Sequence, residues 1–350
     1  MEIVFFRHSL LSRGGDKMVL SHAGYLADQG HSVTILTTVV ETVFPIDDRI
    51  VVRLTGRAGK LGTLWSGFAT RFRADVIVAD IIPLAFLLFF RNRERVIYFS
   101  QDYDESYYFT MVQRLFIRSL YTLGLTYFRI PVIAVSHYLA DLLRNRFHAK
   151  VIVVTNGVDT KVFYPEHDPD LALLKNDKKA IVSLSRSDAR KGFDVAQKVL
   201  QKVGSECIDD FVVWTVGESC ESAFPGLHHR HFGYVKEDEL RRIFSSADLF
   251  LYPSRHEGFP LMALEALACG CPLVTTDAVN VVKNDVEALV SPVEDVGSLA
   301  EDVKKVLADE RLSDRLSRAG FDFVEKNTLA QSRANFCLAL DGIFKGRPCR

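Results

Sequence analysis

Short apolar runs recur along this chain, most of them separated by stretches long enough for a helix of ten or more residues. That alternation leaves few architectures open. The runs at 3–6, 33–37, 76–78, 96–99, 132–135 and 151–154 form a first series, and those at 180–184, 211–216, 249–252 and 273–275 a second. The clearest helical patterns between them span 16–29 and 111–128. Strands that alternate with helices pair in parallel, because a parallel connection needs a crossover, and continuous apolar runs suit strands covered on both faces. The sequence therefore predicts an α/β protein with two Rossmann-like, doubly wound parallel sheets. The polar stretch 166–179 separates the two series, which predicts an N-terminal domain over 1–165, a linker over 166–179 and a C-terminal domain from 180 to 329. A length of 350 residues suits two domains. Such sheets bind ligands outside the carboxyl ends of their strands, so the active site is expected in the cleft between the two sheets.

The densest chemistry lies between Ser254 and Asp277, which reads SRHEGFPLMALEALACGCPLVTTD, with Glu257 and Glu265 separated by seven residues. The apolar strand LFLYP runs into a His256-Glu257-Gly258 turn, and Pro260 is expected to open a helix carrying Leu261, Leu264, Glu265 and Leu267. Gly258 lets the backbone come close to whatever sits above the turn. Free amides at a helix N-terminus suit phosphate, whereas carboxylates repel it and suit sugar or ribose hydroxyls. Together they call for a nucleotide-sugar bound over Gly258, Phe259, Pro260 and Leu261, its diphosphate on the free amides of that segment (Pro260 itself has none to give) and its hydroxyls on Glu257 and Glu265. Arg186 and Lys191, five positions apart after the strand IVSLS, add two cations that can neutralise a diphosphate.

These residues resemble the Glu-x7-Glu signature of the retaining GT-B glycosyltransferases of glycosyltransferase family 4. The likeness extends along most of the chain. SRGGDKMVLSHAGYLADQGHSVTILTT resembles the family's N-terminal Gly-Gly loop, helix and Gly-His-x-Val strand. VVTNGVDTKVFYP at 153–165 resembles its Asn-Gly-Val-Asp segment, and IVSLSRSDARKGFD at 181–194 its Arg…Lys-Gly diphosphate clamp. The resemblance implies that Arg186 and Lys191 hold the diphosphate, Glu265 the ribose and Glu257 the hydroxyls of the transferred sugar. By the same pattern Gly14 and Gly15 approach the donor phosphate or the acceptor, the loop of Gly233, Tyr234 and Val235 faces the base, and a last helix in 330–350 crosses back to the N-terminal domain. It also implies transfer with retention, with no covalent protein nucleophile, no metal and no cofactor. The acceptor class is a glycan or lipid-linked hydroxyl in surface polysaccharide or lipopolysaccharide biosynthesis.

Two departures stand out. Where many relatives carry a histidine near the donor's C6 oxygen, this chain reads Ser100-Gln101-Asp102, so Asp102 or Gln101 is expected to contact sugar or acceptor. YFSQDYD also resembles a segment of some rhamnosyltransferases in the family, which points to a 6-deoxyhexose donor. DAVN at 277–280 replaces paired glycines common in relatives. Asp102-Tyr103-Asp104 could instead be the metal-binding Asp-x-Asp of a GT-A enzyme. A nucleotide-sugar epimerase and a relative that only binds are further alternatives. His137, after the helix N-cap Ser136, reads as a surface histidine.

Composition restricts the partners. The net charge of −1 gives no reason to expect nucleic acid. Residues 1–165 carry 19 Lys/Arg and 14 Asp/Glu, a balance of +5, and Arg49, Arg53, Arg57, Lys60, Arg71 and Arg73 are candidates to face an anionic membrane. The six cysteines lack Cys-x-x-Cys spacing, which predicts buried thiols in a reducing compartment. Met1 leads directly into the strand EIVFF, and the apolar run 83–90 is too short to span a bilayer. The expectation is a cytoplasmic protein with peripheral contact at the inner face of the membrane.

Overall fold

The computed structural model describes residues 1–56, 59–207, 211–220 and 223–344. The chain divides into two compact units, Met1–Asn156 together with the segment from Ala330, and Gly157–Leu329.

The first unit holds a seven-stranded sheet of β1 (Glu2–Phe6), β2 (Ser32–Thr37), β3 (Val51–Leu54), β4 (Val76–Ala79), β5 (Val96–Ser100), β6 (Val132–Ala134) and β7 (Val151–Val153). Every pairing is parallel, in the order β3-β2-β1-β4-β5-β6-β7. Central strands are buried along their whole length, which is why they read as unbroken apolar runs rather than as alternation. Its helices are α1 (Gly14–Asp28), α2 (Gly59–Ala69), α3 (Ile82–Asn92), α4 (Met111–Tyr121) and α5 (His137–Phe147). Ser136 caps α5 by accepting from the Leu139 amide at 3.2 Å, and His137 is exposed beside it. The helix expected over 111–128 changes register at Thr122, where α4 gives way to a π-helical turn, Thr122–Tyr127. The Thr122 hydroxyl donates back to the Arg118 carbonyl there, at 3.1 Å.

The second unit holds β8 (Lys179–Ser185), β9 (Phe211–Gly217), β10 (His229–His231), β11 (Leu249–Tyr252), β12 (Leu273–Thr276) and β13 (Leu289–Ser291), all parallel, in the order β10-β9-β8-β11-β12-β13. Around it lie α6 (Pro169–Lys175), α7 (Phe193–Cys207), α8 (Glu237–Ser246), α9 (Leu261–Ala268), α10 (Val296–Ala308) and α11 (Glu310–Glu325). Ile181, Val199, Leu200, Val213, Leu251 and Leu299 are among the residues of its core. In each sheet the strand order reverses beside the first strand, between β1 and β4 and between β8 and β11. The carboxyl ends of those strands are where ligands of such folds bind.

The expected boundaries shift. Residues 157–165 belong to the second unit, and 166–179 is no linker. That segment forms α6, capped by Asp168 on the amides of Asp170 and Leu171 and tied down by Lys175–Asp248 (2.6 Å) and Arg242–Asp168 (3.2 Å). Its polarity serves capping and ion pairs. The chain also enters and leaves this unit side by side, with Val158 bridged to Thr328 and the Leu329 amide donating to the Val158 carbonyl at 2.8 Å.

The C-terminal helix, Leu329–Phe344, completes the core of the first unit. Phe336 is fully buried, packing on Phe5 and Phe99 and stacking on the His22 ring at 4.3 Å. His22 is itself 1% exposed, and neither ring nitrogen has a hydrogen-bond partner among the described residues. Burial, reinforced by the charge of Arg333, lowers its pKa to about 3. A histidine kept neutral in the fold but free to protonate once unfolded stabilises fully above pH 6.5. That stability is lost as pH falls from 6.5 toward 3. His22 should therefore add a stability loss of about 1.4 kcal/mol per pH unit below 6.5. Urea unfolding between pH 7 and pH 5 tests this, because His22→Phe should remove that increment. Parallel pH dependence in the two proteins would rule it out.

Candidate functional site

In the second unit the site is built where β8 and β11 end. After β8 the chain passes Arg186 and enters a 3-10 turn, Ala189–Lys191, capped by the Asp188 carboxylate on the Arg190 amide at 3.0 Å. Gly192 ends the turn at φ 67°, and a Cβ there would lie 1.9 Å from the Pro253 carbonyl oxygen. Only glycine allows this contact between the turn and the loop after β11. The contact sets Lys191 against Glu257. Lys191 Nζ lies 2.8 and 3.0 Å from the two carboxylate oxygens and 3.2 Å from the Tyr252 hydroxyl. Glu257 Oε1 also accepts from Ser254 Oγ at 2.7 Å and, by a short bond, from Tyr252. Burial works to lower the pKa of Lys191, but Tyr252 and Glu257 outweigh it and hold the ammonium above its ordinary range. Burial and then Glu257 push the Tyr252 phenol above its usual value, so it stays protonated as a donor.

Arg186 belongs to a second, exposed cluster. Its guanidinium sits 5.2 Å from the centre of the Tyr234 ring and donates to the Tyr234 hydroxyl at 3.4 Å. Val235 follows, half-buried. Strand ends are laced together beneath it. The Gly217 amide donates to the Gly233 carbonyl at 2.7 Å, and Glu218 accepts from the Ser187 amide at 2.8 Å. Gly258, Phe259 and Pro260 are buried in the loop, and α9 begins at Leu261. Pro260 is thus the cap residue, one position before the helical start expected of it, and its carbonyl accepts from the amides of Ala263 and Leu264. Glu265 lies on the second turn of α9, 6% exposed.

In the first unit, Gly14 and Gly15 form the first turn of α1 instead of a loop before it. A Cβ on Gly15 would meet the Gln101 amide oxygen at 2.9 Å, and that oxygen is buried without a hydrogen-bond partner among the described residues. Arg7, at the end of β1, is buried between Asp16 (2.7 Å) and Asp80 (2.8 Å), which ties α1 to the ends of β1 and β4. Asp102 and Asp104 turn to different partners. Asp102 accepts from the Tyr103 amide and the Tyr107 hydroxyl, both at 2.7 Å. Asp104 is buried and accepts from the Ile82 amide at 2.5 Å. Burial raises its pKa well above the carboxylate range. Asp104 therefore anchors its loop to the start of α3, and the GT-A metal reading of Asp102-Tyr103-Asp104 is set aside.

The sequence reading missed Tyr252, Ser254 and Glu218. Tyr252 reads as core in LFLYP, and its one available signal is a hydroxyl at the carboxyl end of a buried strand. Cys269 and Cys271 are buried, and burial lifts the Cys269 thiol to about 12. Cys220 and Cys337 form no disulfide among the described residues and are half-buried, while Cys349 and the side chain of Cys207 lie outside the described residues, as do Arg57 and the side chain of Lys60.

Two Rossmann-like units with these strand orders and this strand–turn–helix site define a GT-B protein. Sucrose-phosphate synthase from Thermosynechococcus elongatus superposes with a TM-score of 0.79 over 99% of this chain and 100% of that one, at 16% identity. HepE from Anabaena, in complex with UDP-glucose, does so at 0.76 over 98% and 100%, at 16% identity. Residues 166–323 match glycosyl transferases group 1 and residues 12–162 match Glycosyltransferase Family 4. The chain belongs to this family of GT-B glycosyltransferases. It is 27% identical over 226 residues, 59% of this chain and 58% of that protein, to N,N'-diacetylbacillosaminyl-diphospho-undecaprenol alpha-1,3-N-acetylgalactosaminyltransferase of Campylobacter jejuni. The chain spans about half the length of the curated relatives it matches.

The Lys191–Glu257 pair carries a stability prediction. Tyr252→Phe removes one of several donors to the carboxylate and should cost about 1–2 kcal/mol. Lys191→Met strips the carboxylate of its countercharge and should cost about 2–3 kcal/mol, since Lys191 is only partly buried. Urea denaturation of the two variants gives the order, and a Lys191→Met cost below that of Tyr252→Phe would contradict it.

Proposed function

We propose that this chain transfers a sugar from a nucleotide-sugar to a hydroxyl of a glycan or lipid-linked acceptor, with retention of configuration, in surface polysaccharide or lipopolysaccharide biosynthesis. The observation that carries this reading is the Lys191-Gly192 turn seated on the Glu257 loop. It places a charged ammonium and an ordered carboxylate at the carboxyl ends of β8 and β11, while Arg186 leaves the same strand end, β8, to pair with Tyr234. The diphosphate would lie against Lys191, Arg186 and the amides leading into α9, so Lys191 exchanges part of its contact with Glu257 for phosphate. Glu257 would then bind hydroxyls of the transferred sugar and Glu265 those of the ribose, with Tyr234 and Val235 near the base. In the transfer, the bond from the anomeric carbon to the diphosphate oxygen breaks. A bond to the acceptor oxygen forms on the same face, and the acceptor's proton passes to the leaving diphosphate. Gly14, Gly15, Gln101 and Asp102 belong to the acceptor and sugar contacts of this proposal. The HepE complex with UDP-glucose and the diphospho-undecaprenol in the Campylobacter enzyme's name support a nucleotide-sugar donor and a lipid-linked acceptor. No helix among the described residues is long and apolar enough to cross a membrane, and an acceptor of this kind calls for peripheral contact.

Arg186→Ala and Glu265→Ala, each shown to be folded by circular dichroism, should lower kcat/KM about 10²–10³-fold. Near-normal turnover in both would refute the assignment. Product formed from donor alone would favour the epimerase instead.

With positive charge supplied by side chains and a helix terminus, EDTA should leave transfer rates within about twofold. Complete loss rescued by Mn²⁺ would contradict that.

The donor is read as a 6-deoxyhexose carried on dTDP. A thermal-shift comparison of dTDP-rhamnose, GDP-mannose and UDP-glucose tests this, since a ligand at 100 times its Kd stabilises by about 2.7 kcal/mol. A clear preference for a C6-hydroxylated donor would end the idea.

A further inference from the structure

Arg255 stands between β11 and Glu257, outside the residues assigned to the donor, yet it grips the turn after β8 at several points. Its amide donates to the Arg190 carbonyl at 2.7 Å, and its Nη1 donates to the Ala189 carbonyl at 2.5 Å. Across the turn, Nη1 and Nη2 each lie 2.7 Å from one oxygen of the Asp194 carboxylate, in the first turn of α7. Nε makes a short bond to Glu294, in the loop between β13 and α10. Glu294 itself stands at φ 68°, a left-handed backbone that few residues other than glycine adopt and that surrounding contacts must hold. One guanidinium thus ties together the loops after β8, β11 and β13. Isolated surface ion pairs contribute little, but a bidentate pair within a network fixes geometry.

We propose that Arg255 is a positioning residue for donor binding, a strap that holds the turn carrying Lys191 while the ammonium shifts from Glu257 to the diphosphate. The proposal deepens the transferase reading and rests on it for the identity of the ligand. In the free protein the side chains of Lys191 and Arg255 both restrain the turn. A bound diphosphate draws Lys191 partly away from Glu257, so the first restraint weakens as the ligand arrives. The strap does not involve the Lys191 side chain and persists. Its anchors at Ala189 and Asp194 lie two residues before Lys191 and three after, and so set the direction in which that side chain leaves the backbone. Lysine could not replace the arginine, because a single ammonium lacks the planar fork that pairs with Asp194 while Nε reaches Glu294. Asp194 and Glu294 are half in solvent, so Arg255 should matter more to ligand affinity than to the stability of the free fold.

The test titrates the full chain with UDP, GDP and dTDP by calorimetry, without acceptor. With the nucleotide that wild type binds best, Arg255→Gln should raise Kd at least about 5-fold while moving the unfolding midpoint of the free protein by less than about 3 °C. Arg255→Lys should recover only part of the affinity. Asp194→Asn should also weaken binding. The double variant Arg255→Gln/Asp194→Asn should bind no more weakly than the worse single one, because both changes break the same contact. Hydrogen exchange over 189–194 should quicken in free Arg255→Gln, which reports the strap with no ligand present. The inference is overturned if Arg255→Gln or Arg255→Lys keeps wild-type affinity, if the losses of the two single variants add, or if exchange over 189–194 is unchanged. Failure of wild type to bind any of the three nucleotides would count against the transferase reading instead, and the exchange experiment would still decide the strap.

Discussion

Glu257 is the constraint around which the second unit arranges its functional end. A carboxylate taken almost wholly out of water is tolerable only with a countercharge and donors for its lone pairs. Lys191, Tyr252 and Ser254 supply them, and each comes from a different place, a turn after β8, the last residue of β11 and the loop beyond it. Meeting that requirement fixes the spacing of two strand ends. The spacing in turn requires Gly192, since any side chain there would collide with Pro253. An ordered loop leading into α9 follows from the same contacts, so the N-terminal amides of that helix are presented on a rigid mount.

The first unit solves a similar problem with different groups. Arg7 stands between the buried Asp16 and the half-buried Asp80, and burial, helped by the charge of Asp80, raises the pKa of Asp16 despite the guanidinium. One strand further on, Tyr98, Tyr121 and Asp104 share a buried network in which the two phenols meet at 2.9 Å and Tyr121 accepts from the Asp104 amide at 3.0 Å. Glu105 is clamped by Arg118 and Tyr103. Burial would raise its pKa, but these bonds win and hold it at about 2. The loop that carries Gln101 and Asp102 is therefore stiff before any ligand arrives, the condition under which a contact residue loses little entropy on binding.

The pattern of apolar runs determined the fold class, because parallel strands buried on both faces have no polar face to hide behind. All ten strands read from it are present, each within two residues of its expected ends. The strands at 51–54, 229–231 and 289–291 were missed. Val51–Leu54 lies mostly in solvent and His229–His231 is built of polar residues, so neither carries the apolar signal, and Leu289–Ser291 is only three residues long. The π-helical turn after α4 was equally hidden, since it changes hydrogen bonding without changing periodicity.

At the site, the sequence by itself determined which residue types stand at which spacing. Arg186, Lys191, Glu257 and Glu265 stood out because two cations after one strand and two carboxylates near a helix start are what a diphosphate and hydroxyls would need. Tertiary structure alone decided which of them meet. Lys191 and Glu257 are 66 positions apart, and nothing in either segment announces a shared Tyr252 hydroxyl or a glycine pressed on a proline carbonyl. Burial made the same kind of decision for His22, a helical histidine in the sequence that Phe336, 314 positions later, turns into a neutral ring in an aromatic core. The physical reason is common to both. Local sequence sets propensity and period, whereas dielectric environment, charge pairing and close contact depend on segments brought together only when the sheets close over their cores.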